Sequence, residues 1–111
     1  MRESEKIQKI LQLKLTHLHF EGLLYPTDRL LNAIEASIAH LMIEFFNEQI
    51  AWFEDGCLEI LTRVEQLKIT CLHFEALLFP NNLELNETDL ANAQLFIQFI
   101  DDEVTWLETR N

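Results

Sequence analysis

The 111-residue chain has little of what marks disordered, membrane-spanning or disulfide-stabilised proteins. It has only two glycines and two prolines, while 49% of its residues are hydrophobic, and this composition predicts one folded core. No stretch approaches the roughly 20 uninterrupted apolar residues that a membrane-spanning helix needs. The amino-terminal segment is charged and lacks the apolar block of a secretory signal peptide. We therefore expect a soluble, cytoplasmic protein that does not bind membranes.

Cysteine is also scarce, since Cys57 and Cys71 are the only two in the chain. The hydrophobic pattern predicts that both lie in one helix, about 21 Å apart along its axis, which is too far for a disulfide bond between them. Two free thiols are typical of a protein in a reducing compartment.

Positive charge is the third scarcity. Eight lysines and arginines stand against nineteen acids, which gives a formal net charge of −11. No base occurs between Arg29 and Arg63, or between Lys68 and Arg110. Direct nucleic-acid binding is disfavoured, because its affinity comes from lysines and arginines that neutralise phosphates. A basic protein partner is compatible with this charge, and the simpler interpretation is that the acids keep an apolar-rich protein in solution.

The residue patterns of common enzyme and cofactor sites are absent. The chain contains no glycine-rich phosphate loop, no C-x-x-C pair for zinc, and no serine or cysteine nucleophile with a recognisable base. It also lacks the Glu-x-x-His pairs of di-iron helical bundles. The sequence therefore predicts neither catalytic activity nor a bound cofactor.

What the sequence does contain is an internal repeat. Residues 11–26, LQLKLTHLHFEGLLYP, return at residues 65–80 as EQLKITCLHFEALLFP, with eleven of sixteen positions identical. The same offset of 54 aligns residues 45–54 with residues 99–108 without a gap. Apolar residues in each copy recur at three- and four-residue spacing, which indicates helices, and Pro26 and Pro80 each end one.

These features predict an all-α fold in which each copy is a helical hairpin. Two tandem hairpins form an antiparallel four-helix bundle, since short connections make successive helices antiparallel. We expect a single domain over residues 1–111, with repeats at about 5–55 and 56–109. On the long second helices, the matching residues expected in the core are Leu41, Phe45, Leu95 and Phe99.

The first helix of each repeat carries two separate apolar stripes, although a simple bundle needs only one. In the first helix one stripe is Ile7, Leu11, Leu15, Leu18 and Tyr25, and the other is Leu13, Phe20 and Leu24. The surplus predicts a homodimer. The candidate dimer surface is the second stripe and its matching residues in the third helix: Leu13, Phe20, Leu24, Leu67, Phe74 and Leu78.

Acids at the carboxyl-terminal turns of the long helices suggest a second surface. They face the negative end of the helix dipole, and no base lies within ten residues before them to offset the repulsion. A positively charged partner would relieve that repulsion. The candidate partner-binding residues are Glu44, Glu48, Asp101, Asp102 and Glu103.

A metal site is the weaker alternative. Residues four apart on a helix project together, which gives His17 with Glu21 and Cys71 with Glu75 as candidate ligands. His19 and His73 recur in both copies, and the expected role for them is a partly buried imidazole bonded to a neighbouring helix. Trp52 and Trp106 are expected in the core.

Taken together, the sequence favours a non-catalytic helical protein that acts by binding another protein, as an adaptor, inhibitor, immunity or regulatory factor. The alternative is a helical bundle that binds a metal or a small ligand, including a hydrolytic one. No feature of the sequence identifies the partner.

Overall fold

The computed structural model describes residues 1–28, 30–79 and 87–110. Within those ranges all regular secondary structure is helical, in four α-helices. Helix α1 pairs with α2 and helix α3 pairs with α4, which makes two hairpins and is consistent with the predicted four-helix bundle. The predicted all-α class is confirmed. The helices are α1 (Glu3–Leu24), α2 (Ala33–Glu54), α3 (Ile60–Leu78) and α4 (Glu87–Glu108).

The chain divides into two compact units, Met1–Leu58 and Glu59–Asn111, and each contains one hairpin. Residues buried in the first unit have buried counterparts 54 positions later in the second. Matching pairs include Leu13 with Leu67, Phe20 with Phe74, Met42 with Phe96, and Phe53 with Leu107. The sequence repeat is thus also a repeat of the packing.

Aromatic rings join the two helices within each hairpin. In the first hairpin the rings of Phe20 and Phe46 are 5.2 Å apart between centroids, and the His17 ring stacks on Phe46 at 5.9 Å. In the second hairpin Phe74 meets Phe96 edge-on at 4.7 Å. These distances lie in the range of favourable aromatic pairs, so each hairpin has an aromatic centre of its own.

The same ion pair closes the far end of both hairpins. Lys14 Nζ lies 3.8 Å from Glu54 Oε1, and Lys68 Nζ lies 3.7 Å from Glu108 Oε2. Both pairs are at the surface, so each contributes only a few tenths of a kcal/mol to about 1 kcal/mol. Their value here is geometric, because they show that the first helix of each hairpin lies beside the last turns of the second.

Part of the predicted core on the long helices is wrong. Phe45 is buried and Phe99 is half-buried, but Leu41 and Leu95 are exposed by 44% and 52%. On α2 the inward-facing residues are shifted round the helix from the predicted series, as Ala39, Met42, Phe46, Ile50 and Phe53. The predicted series ran along one edge of this face and therefore mixed buried and exposed positions.

Helix α2 begins later than the sequence suggested. A start at Thr27 or Asp28 was expected, but the helix starts at Ala33 behind a capping box. The Glu35 backbone N–H donates to Asn32 Oδ1 at 2.8 Å, and the Asn32 backbone N–H donates to Glu35 Oε1 at 3.1 Å. These two bonds satisfy donors that the first helical turn leaves free, which fixes the boundary.

Replacing this cap gives a direct test of the boundary. Asn32→Ala removes the acceptor for the Glu35 N–H, so we expect the free energy of unfolding to fall by about 1 kcal/mol. Equilibrium urea unfolding measures the loss. Asp28→Ala serves as the matched control, since a residue outside the helix should change stability by less than about 0.5 kcal/mol. A larger effect at Asp28 than at Asn32 would contradict the capping assignment.

The turn between the two units contains residues in left-handed conformations. Gly56, with φ of 109°, ends the α2 segment as predicted for a glycine just past a helix. Cys57 also has a positive φ of 57° and precedes α3, so the prediction that both cysteines lie in one helix is wrong. Both thiols are nevertheless free, as predicted. Among the described residues, no helix is apolar and long enough to span a bilayer.

Candidate interaction surfaces

One side of α1, which we call the α1 outer face, is apolar and exposed to solvent. At 100° per residue, Leu11 and Leu18 point about 180° away from the buried Phe20, so the face lies opposite the core. Its four aliphatic members are 51% to 69% exposed. A helix that is apolar on opposite sides is typical of one covered on both sides. The α1 outer face consists of Ile7, Leu11, Leu15 and Leu18, with Gly22 between Leu18 and Tyr25.

The α3 outer face is the matching surface of the second hairpin. Leu61, Ile69 and Leu72 are 53% to 64% exposed and stand 54 positions after Ile7, Leu15 and Leu18. Glu65 replaces Leu11 in this copy, and it lies 3.7 Å from Lys68 in an ion pair. The α3 outer face is therefore interrupted by a charge, whereas the α1 outer face is continuous.

The predicted dimer surface is not on the outside. The structure buries five of its six residues and half-buries Leu24, so the exposed stripe is the other one. Sequence periodicity separates two stripes but does not say which faces inward, because both are equally apolar. The buried five are Leu13, Phe20, Leu67, Phe74 and Leu78.

Charge is segregated between the two helices of each hairpin. Helix α1 contains three lysines and three glutamates, and α3 contains two bases and two acids. Helix α2 contains four acids and α4 contains six, with no lysine or arginine in either. The apolar outer faces thus belong to the electrically neutral helices, and the negative charge belongs to their partners.

Four of the five predicted partner-binding acids are exposed. Glu44 lies 3.0 Å from His40 Nε2, and Asp102 accepts a hydrogen bond from the Gln98 amide at 2.9 Å. Glu48 and Asp101 are also exposed. Glu103 is only 1% exposed, so its assignment to an exposed acidic surface is wrong. Helical periodicity explains the difference, since Glu103 is on the same side of α4 as the buried Ile100 and Leu107.

The buried Glu103 has a counterpart in the first hairpin. Gln49 lies 54 positions earlier and is fully buried, so both hairpins keep a polar side chain of the same length at this point of the second helix. Lys9 and Asn92 are the other polar residues that the described structure buries. The sequence contained a signal for this pair, because the repeat aligns position 49 with position 103.

The acids at the helix ends are better compensated than the sequence suggested. The expectation that no base offsets them considered only preceding residues of the same helix. Lys14 approaches Glu54 and Lys68 approaches Glu108 from the neighbouring helix of the hairpin. The unfavourable interaction with the helix dipole is therefore partly relieved inside each hairpin. This weakens the argument that a basic partner is needed there.

The candidate metal ligands pair as predicted, but they do not assemble a metal site. His17 Nε2 lies 2.9 Å from Glu21 Oε1, although this oxygen is off the direction of the ring N–H, so we treat the contact as electrostatic. In the second hairpin the Cys71 thiol is 3.6 Å from both Glu75 Oε1 and Asp101 Oδ1. In the part of the chain that the structure describes, no three histidine, cysteine or acidic side chains are arranged to hold a metal.

The surroundings of Cys71 make its thiol a poor nucleophile. Burial disfavours the thiolate most strongly, and the negative charges of Asp101 and Glu75 disfavour it further, which raises the pKa of Cys71 to about 12. Burial also raises the pKa of Cys57. Because the thiolate is the reactive form, a covalent catalytic role for Cys71 is disfavoured.

The repeated histidines and tryptophans are less buried than expected. His19 and His73 are both exposed, which corrects the prediction of partly buried imidazoles. Trp52 and Trp106 are half-buried at the core edge. Trp52 Nε1 donates to the Leu58 carbonyl at 3.1 Å and so braces the turn after α2, while the Arg110 guanidinium stacks 3.7 Å from the Trp106 ring.

Comparisons with models of protein families, with curated proteins and with solved structures found no match to this chain. The surfaces described above therefore carry the functional argument.

Proposed function

We propose that this is a non-catalytic protein that works by binding another protein, as an adaptor, inhibitor, immunity or regulatory factor. The observation that carries the proposal is the apolar outer face on the first helix of each hairpin. Isolated exposed apolar residues are ordinary, but aligned rows on the side opposite the core are typical of interaction sites. The two free thiols favour a cytoplasmic setting.

The exposed acids suggest a further property of the partner. Glu44, Glu48 and Asp102 lie on the helices without lysine or arginine, so a partner with basic groups near its contact surface associates faster at low salt. We propose that apolar contacts supply most of the affinity and that the acids steer the encounter. Direct nucleic-acid binding and membrane binding form no part of the proposal.

Affinity capture from the native cell tests the proposal with three baits. The first is the parent protein, the second carries Leu15→Gln and Leu18→Gln with Ile69→Gln and Leu72→Gln, and the third carries Glu44→Gln, Glu48→Gln and Asp102→Asn. We expect the parent to retain a protein in near-stoichiometric amount, and the second bait to lose at least 90% of it, because apolar contact area is lost. The third bait should bind with a weaker salt dependence.

All three baits must first show the same helical circular dichroism and melting transition, which exposed substitutions should preserve within about 0.5 kcal/mol. Equal retention of one protein by the parent and the second bait would contradict a role for the outer faces. Failure of the parent to retain any protein above an unrelated acidic bait would contradict the proposed function.

A further inference from the structure

We propose that the α1 outer face binds the same face of a second copy of the chain. The inference rests on the proposed function and assigns an occupant to one of the two outer faces. Its starting point is that Ile7, Leu11, Leu15 and Leu18 form an uncharged, exposed row that is complementary to itself, as the contact surface of a symmetric dimer must be.

The charge distribution selects this helix among the four. Two copies with a net charge of −11 each repel one another, and the repulsion is strongest where α2 or α4 of one copy meets α2 or α4 of the other. Helix α1 has equal numbers of lysines and glutamates, so contact through α1 brings no excess charge together. The α3 outer face is less suitable, because a symmetric contact there would bring two copies of Glu65 into an apolar interface.

Gly22 supplies an independent observation. It lies within α1 on the outer face, and a Cβ atom added there would meet nothing within 4 Å. The packing of the chain therefore does not require glycine, although glycine is a poor helix former. A small residue on an exposed apolar face allows a second helix to approach closely, and Gly22 offers this on α1. At the matching position of α3, Ala76 is also exposed and already carries a Cβ atom.

The size of the face sets the expected strength. From Ile7 to Tyr25 it extends about 27 Å at 1.5 Å per residue, and it is one helix wide. A contact of this size falls at the low end of specific interfaces, where complexes are weak and reversible. We therefore expect a monomer–dimer equilibrium with a dissociation constant on the order of 10 µM.

Sedimentation equilibrium of the full chain, from about 1 to 500 µM, tests the proposal around that constant. The parent should pass from monomer to dimer, and Leu15→Gln with Leu18→Gln should weaken dimerisation at least tenfold. Ile69→Gln with Leu72→Gln makes equivalent changes on the α3 outer face and should leave the equilibrium within twofold. Gly22→Leu should raise the melting temperature and weaken the dimer, while Ala76→Leu should not weaken it.

Three results would overturn the proposal: a parent protein that is monomeric at every concentration, equal weakening by the α1 and α3 pairs, or a monomeric parent that pellets with anionic phospholipid vesicles. Circular dichroism of each variant separates loss of the dimer from loss of the fold. The dimer and the proposed function can fail separately. A monomer that still captures a different protein leaves the proposed function standing, and a dimer that captures none leaves only self-association.

Discussion

Phe46→Ala and Phe96→Ala are each expected to lower the free energy of unfolding by about 3 to 5 kcal/mol. Both rings are completely buried, and each packs against an aromatic ring of the neighbouring helix in its hairpin. Truncation to alanine removes buried apolar surface and leaves a cavity in a closely packed interior. Because small domains are stable by only about 5 to 15 kcal/mol, either variant should unfold at a much lower urea concentration.

The measurement can follow each hairpin separately, because Trp52 lies in the first and Trp106 in the second. Trp52→Phe and Trp106→Phe backgrounds each leave one tryptophan as the fluorescence reporter. Leu18→Ala and Leu72→Ala are the matched controls, since both are more than 60% exposed and should change stability by less than about 0.5 kcal/mol. A cost below about 1 kcal/mol at Phe46 or Phe96 would contradict the placement of that ring in the core.

The second large effect is expected in the chemistry of Cys71. With a pKa of about 12, its thiolate population at pH 8 is on the order of a thousandfold below that of an ordinary thiol. We expect iodoacetamide to modify Cys71 in the folded protein at least a hundredfold more slowly than in urea-unfolded protein, since the thiolate is the reacting species. Mass spectrometry of a Cys57→Ser variant measures the rate at this one site.

Two variants test the cause of the shift. Asp101→Asn and Glu75→Gln each remove a negative charge beside the sulfur, so each should lower the pKa and speed the reaction, while burial keeps the pKa above its ordinary value. Because the folded state holds this proton more tightly than the unfolded state, stability should also decline as the pH rises from 9.0 towards 12. Rapid modification of the folded parent at pH 8 would show that the thiol is not shielded as described.

The repeat made most of the fold predictable. A constant offset of 54 and helical spacing of apolar residues were sufficient for four helices in two hairpins, because these features depend on local periodicity. The start of α2 was predicted too early, since Thr27 and Asp28 are plausible caps and the Asn32–Glu35 box five residues later was overlooked. Local capping signals compete, and only the packing of the helix decides between them.

Facing was harder to predict than helix position. On α1 two apolar stripes are equally suited to a core, and the choice between them depends on which one meets Phe46 of α2. Leu41 was placed inward by an arc error of one residue, which rotates a side chain by about 100°. Contacts between helices, such as Lys14 with Glu54, also leave no local trace in the sequence, and for this reason the acids of the long helices appeared uncompensated.

The buried polar position shared by the hairpins shows what the interior accepts. Gln49 and Glu103 have the same length and shape, and each ends in a planar group with a carbonyl oxygen, but one ends in an amide and the other in a carboxyl group. Two copies of one hairpin have thus kept the outline of this side chain while its protonation chemistry diverged. The duplicated chain carries an internal comparison in which shape and an acceptor oxygen, rather than a formal charge, are what the two sites have in common.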